Sequence, residues 1–220
     1  MSSNKHLERW DGWLDNIRDS ISGLLVERHI YKEVQAIVLA NPRIHVGSSF
    51  YDWMAKSHTS SILSGVRRQI DTDKDVISLC RLLYEIAESP ASITRADFLA
   101  KRPHATPAEL SEEFDTLAGQ GASHIDPALV RSHLDCLKCK SHTVVRVAHR
   151  RIAHQSTRAL CRIPTFEDLD ECLSALENTF QKYYSLLRAT ALLQLLPQWL
   201  YDWTAIFREP WIRELEETGK

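Results

Sequence analysis

The sequence predicts an all-α protein, and three observations carry that expectation. Apolar residues recur every three or four positions over long stretches, the period of a helix with one buried face. Only seven glycines occur in 220 residues, too few for the frequent tight turns that join strands. Capping residues and prolines bracket the periodic stretches. With 44% hydrophobic and 25% charged residues, the balance is that of a globular chain, long enough to bury a core without disulfides. A single domain over residues 1–220 is expected.

The first helix follows from Leu7, Trp10, Leu14, Ile17, Ile21, Leu24 and Leu25, which share one face. The pattern resumes through Ile30, Val34, Ile37 and Val38 and stops at Asn41-Pro42. A second helix starts near Ser48–Ser49 and runs through Phe50, Trp53 and Val66 to Ile70. Asp71–Asp75 is a charged break, and Asp75 is the expected N-cap of a third helix that Ser89-Pro90 ends. Residues 90–125 hold three prolines and two glycines, with short helical pieces near Thr94–Ala100 and Pro107–Ala118. They read as a peripheral insertion. A helix follows Pro127 towards Cys139, and a basic one covers roughly Thr143–Arg158. A long helix runs from Phe166 to about Leu196, its first turns rich in carboxylates as the helix dipole prefers. A final helix carries Trp199, Trp203 and Phe207.

The formal net charge of −2 excludes a uniformly basic nucleic-acid coat but not a local basic patch. Five cysteines (Cys80, Cys136, Cys139, Cys161 and Cys172) at irregular spacing suggest free thiols in a reducing compartment. The N-terminal stretch is polar rather than a secretory h-region, and the most apolar run, Ala189–Leu196, is too short to span a bilayer. A cytoplasmic protein without membrane attachment is expected.

The most informative stretch lies at Arg146–Arg158. Val145, Ala148 and Ile152 form its expected buried face, while Arg146, Arg150, His154 and Arg158 step by four along another, with Arg151 at its border. Such a stripe suits phosphodiester chemistry. In RNA the 2′-hydroxyl is an internal nucleophile, and a histidine that titrates near neutrality can accept its proton or protonate the leaving oxygen. Guanidiniums stabilise the charge that builds on the phosphoryl oxygens, and neighbouring positive charge favours neutral imidazole. Neither metal nor cofactor is required. A solvated face paired with nearby carboxylates is the competing reading of the same residues.

Arg151-Ile152-Ala153-His154 resembles the signature helix of the HEPN superfamily, in the branch typified by abortive-infection U-type phage-defence proteins. The stretch from Gly65 to Leu83, with Arg67-Arg68, Asp71, Asp73, Ser78 and Leu82-Leu83, is similar to a second motif of that branch, and Gln181-Lys182-Tyr183-Tyr184 fits too. The likeness runs in order from about Tyr31 to Arg188. It implies an all-α HEPN-like bundle, a homodimer, and a metal-independent endoribonuclease acting as a toxin or phage-defence effector, with its arginine–histidine motifs meeting between subunits. It also implies RNA as partner and an antitoxin of the nucleotidyltransferase type. On this reading His154 is the acid–base residue and Arg150 and Arg146 hold the phosphate. Arg151, His149, Arg158, Arg67 and Arg68 contact RNA. The match departs at one point: the positions that the family's arginine takes fall on His149, Ala148 and Val147. A degenerate motif, kept for RNA or protein binding, is therefore the alternative.

His133-x-x-Cys136-x-x-Cys139-x-x-His142 has the residue types of a zinc site, but all four share one helical stretch and converge only if it breaks near Lys140-Ser141. The tryptophans are expected in the core or at a dimer interface rather than as base-stacking platforms, with Trp211 an exposed anchor. No phosphate-cradling glycine loop and no nucleophile elbow is present.

Overall fold

The computed structural model describes residues 2–153 and 164–211. Among them are seven α-helices and no strand: α1 (Ser2–Ala40), α2 (Ser49–Ile70), α3 (Leu79–Glu88), α4 (Arg95–Ala100), α5 (Pro107–Ala118), α6 (Pro127–Val147) and α7 (Phe166–Arg188). The chain is all-α. No helix of the described residues is long and apolar enough to cross a membrane.

α1 is one rod of 39 residues, about 60 Å long at ~1.5 Å per residue. Its periodic face is buried from Trp10 through Leu25. α2 folds back along it. Gln69 Nε2 donates to Ser20 Oγ (3.0 Å), Ser61 Oγ to Glu27 Oε2 (2.7 Å), and the Tyr31 and His58 rings stack at 4.0 Å, so rising numbers on one helix meet falling numbers on the other. Gly65 permits the close approach, since a Cβ there would lie 2.3 Å from Leu24 Cδ2. α7 runs antiparallel to both α1 and α6. Arg188 bonds Asp11 and Asp15 at one end, with Lys32 on Asp170 towards the other, and Tyr183 meets His133 while the Cys172 thiol meets the Lys140 carbonyl. α1, α2, α6 and α7 thus close a four-helix ring, with α3 packed on α6.

Ser78 rather than Asp75 caps α3. Its Oγ accepts from Arg81 N (2.9 Å) and donates to the Asp71 carbonyl, while the Gln69 side chain accepts from Leu79 N (3.0 Å). Asp75 instead gives its N–H to Asp73 Oδ1 (3.2 Å), and Asp73 gives its own to Asp71 Oδ1 (3.0 Å). The aspartates build successive Asx turns, and the helix begins three residues later. α3 then buries Glu85 against Trp10, whose Nε1 donates to it at 2.8 Å; Arg81 and Arg9 pair with the same carboxylate.

Residues 90–125 are less peripheral than their composition suggests. Ile93, Phe98, Leu110, Phe114, Ala118 and Ile125 belong to the same apolar cluster as the four-helix ring. Arg95 ties the segment together through the Ala122 carbonyl (2.9 Å), Ser111 (2.6 Å) and Asp115. Lys101 donates to the Leu187 carbonyl near the end of α7.

α7 stops at Arg188, short of the expected Leu196, because Ala189 takes a left-handed conformation (φ 51°). The apolar run beyond it is not helical; its carbonyls accept from Gln181 (Leu193, 3.2 Å) and Ser22 (Leu195, 2.9 Å). The expected last helix is a short 3-10 segment, Trp203–Arg208, which leaves Trp199 outside it, stacked on His29 at 4.7 Å.

Candidate nucleic-acid interface

On α2, Ile62, Val66 and Gln69 turn inward, which leaves Ser61, Ser64, Arg67 and Arg68 on the outer face. Both arginines are exposed and sit in the last turn, where cations complement the negative helix end. Neither makes an ion pair with a described residue. The aspartates of the next turn are taken up by backbone N–H groups in the Asx turns, and Arg81 reaches back only to the Thr72 carbonyl (3.4 Å). A cleft of about 450 Å³ opens here, lined among the described residues by Ser61, Ser64, Arg67, Arg68, Asp71 and Ala148.

The opposite wall is the end of α6. The helix does not break near Cys139 but continues to Val147 and then widens into a π turn, Ala148–Ala153. A π turn takes more than four residues, so the expected four-step alignment of Arg146 with Arg150 does not hold across it, and such turns recur at functional sites. The buried face shifts as well: Val144, Val147 and Ala148 are buried and Val145 only half so. Ala148 is 1% exposed, so this position has no room for an arginine side chain on the inner face.

Of the residues expected to act on RNA, the structure brings Arg67 and Arg68 to one cleft with Ala148. Arg146 is half-buried, and its Nε is shielded without a hydrogen-bond partner among the described residues. His149 is exposed and Arg150 half-buried, and both have interaction partners. His154, Arg158 and the side chain of Arg151 lie outside the described residues.

The zinc-like pattern does not converge. α6 is unbroken from His133 past His142, with Cys136 and Cys139 on its exposed side. His133 turns inward, its Nδ1 at 3.0 Å from the Tyr183 hydroxyl and its Nε2 at 3.4 Å from Lys182 Nζ. Burial, reinforced by Lys182, holds its pKa below the ordinary value. No three His, Cys, Asp or Glu residues among those described group as metal ligands. Burial pushes the Cys80 thiol up to about 12 and that of Cys172 to about 11, so neither is a nucleophile at neutral pH.

The tryptophans differ widely in burial. Trp10 is fully buried, but Trp53 is 62% exposed, beside Phe50 (centroids 5.9 Å apart) on the first turns of α2. A second cleft of about 460 Å³ lies between Trp53 and α1, with Glu27, Tyr31, Met54, His58 and Ser61 in its wall. His58 is 7% exposed, and its Nδ1 hydrogen-bonds no described residue; Glu27 Oε1 lies 3.5 Å away. Burial lowers its pKa against the opposing pull of Glu27. Nothing in the sequence pattern singles out His58 or Trp53 from the other helical aromatics.

No family model, curated protein or solved structure matches the chain.

Proposed function

We propose that the chain is a metal-independent endoribonuclease of HEPN type, a toxin or phage-defence effector of the cytoplasm acting as a homodimer. The observation that carries the reading is the cleft in which Arg67 and Arg68, unpaired among the described residues, face the π turn leading to His154. Guanidiniums without carboxylate partners are free to bind phosphate. His154 takes the proton of the 2′-hydroxyl or returns one to the leaving oxygen; Arg150 and Arg146 stabilise the phosphoryl charge, and Arg151, His149 and Arg158 extend the contact. An antitoxin of the nucleotidyltransferase type is the proposed partner.

One observation favours a second reading, a non-catalytic RNA-binding module. The resemblance places an arginine where Ala148 stands, and Ala148 is buried. One assay separates the two: incubation of RNA with the protein in EDTA, beside His154→Ala. The ribonuclease reading expects cutting that the variant abolishes while its melting temperature holds. RNA bound but uncut by both proteins overturns it in favour of the binding module.

A further inference from the structure

The two clefts on α2 share a wall. Ser61 lines both the basic cleft of Arg67 and Arg68 and the aromatic one of Trp53, Tyr31 and His58. They therefore adjoin at Ser61 along the outer side of α2. From Trp53 to Arg67 is fourteen residues, about 21 Å along a helix axis. That length accommodates several nucleotides. One end offers cations unpaired among the described residues, the other an exposed indole with an apolar floor.

These are the two components of a surface for single-stranded nucleic acid: a positive track for the backbone and aromatic faces on which bases stack. A duplex hides its base faces inside the stack and leaves the indole unused. The aromatic cleft also contains an acceptor. Glu27 takes one hydrogen bond from Ser61 through Oε2, while its Oε1 has His58 Nδ1 at 3.5 Å, beyond good hydrogen-bond geometry. A carboxylate accepts from an exocyclic amine such as cytosine N4, which uracil lacks. We infer that the adjoining α2 clefts are a single-stranded RNA track, in which Arg67 and Arg68 hold phosphates, Trp53 stacks a base and Glu27 favours bases that carry an amino group. The inference rests on the RNA reading above and adds the strandedness and base class of the substrate.

The test uses fluorescent 2′-O-methyl oligonucleotides, which lack the internal nucleophile and so report binding without cleavage. Oligocytidylate, oligouridylate and a mixed-sequence duplex of equal length are titrated against the full chain, Trp53→Ala, Glu27→Gln and the double variant Arg67→Gln, Arg68→Gln. Trp53 is exposed, so its loss leaves the core intact. The expected result is preference for single strands, and for cytidylate over uridylate. Trp53→Ala weakens single-strand binding by roughly 5-fold or more and spares the duplex, the loss of one stacked base. Glu27→Gln removes the cytidylate preference, and the arginine variant weakens every probe. Single-strand affinity unchanged in Trp53→Ala, or an equal loss on single strand and duplex, overturns the track while leaving RNA binding intact. Failure of the unmodified protein to bind any probe overturns the RNA reading itself, and the track with it.

Discussion

Arg81 and the pair Arg67–Arg68 flank a single turn, yet they live in opposite circumstances. Arg81 grips Glu85 with two nitrogens, at 2.8 and 3.2 Å, and Trp10 and Arg9 converge on the same carboxylate. Arg67 and Arg68 face a cleft, and the aspartates next along the chain are bonded to backbone rather than to guanidinium. The contrast separates two uses of arginine in one fold. Around Glu85 the guanidinium satisfies a buried charge, and its geometry serves the fold. At the end of α2 the sequence supplies nearby carboxylates and the structure diverts them, which leaves two cations for a ligand. Arg188, clamped on Asp11 and Asp15, and Arg95, surrounded by Ser111 and Asp115, belong to the first kind.

The largest expected effect comes from breaking the satisfied cluster. Glu85→Ala strands Trp10 Nε1 without its acceptor and leaves Arg81, whose side chain is 17% exposed, without its carboxylate. Removing one member of such a cluster leaves the others uncompensated, at a cost of about 2–3 kcal/mol. A fall of that size in urea-unfolding free energy is the measurement. Unchanged stability would mean that the cluster is incidental to the fold.

A smaller effect follows from pH. Burial raises the Glu85 pKa, but the hydrogen bonds from Trp10 and Arg81 and the charges of Arg9 and Arg81 outweigh it, so the net shift is downward. A carboxyl whose folded pKa lies below its unfolded value stabilises the fold above the unfolded pKa, and that contribution is lost as pH falls through the folded one. Stability should therefore decline on acidification below about pH 4. Glu85→Gln should flatten that part of the profile, and a parallel decline in both proteins would assign the acid sensitivity elsewhere.

How far the sequence reveals these two regions depends on the range of the interactions. Helical periodicity locates α1 and α2, because burial on one face repeats along each helix. The start of α3 is misread because Asp75 and Ser78 are equally good caps in isolation; Gln69, ten residues before Leu79, decides between them. The end of α7 depends on a left-handed Ala189, a residue with no local signature for that conformation. The π turn is similarly hidden, since a step-of-four reading assumes the α-helical period it sets out to test. Arg67 and Arg68 are visible in the sequence as a basic pair, but pairing with Asp71 or Asp75 is the natural expectation there. In the structure Asp71 accepts from the backbone of Asp73 in an Asx turn, and neither arginine forms an ion pair with a described residue.

The smallest expected effect on stability, and the sharpest on function, comes from Arg67→Gln with Arg68→Gln. Both side chains are exposed and make no ion pair with a described residue, so the unfolding free energy should change by no more than about 0.5 kcal/mol. Losing two cations from the last turn of α2 removes a favourable helix-end interaction, but that term is small and screened at exposed positions. RNA affinity should behave differently. Each phosphate that an arginine neutralises releases bound counterions, so the slope of log affinity against log salt should become shallower by roughly 0.7 for each phosphate left unneutralised on a single strand. Titrations at several salt concentrations, beside urea melts of the same variant, measure both quantities. Equal stability with a shallower slope assigns these arginines to the ligand. A destabilised protein with an unchanged slope would place them with Arg81, as structural cations after all.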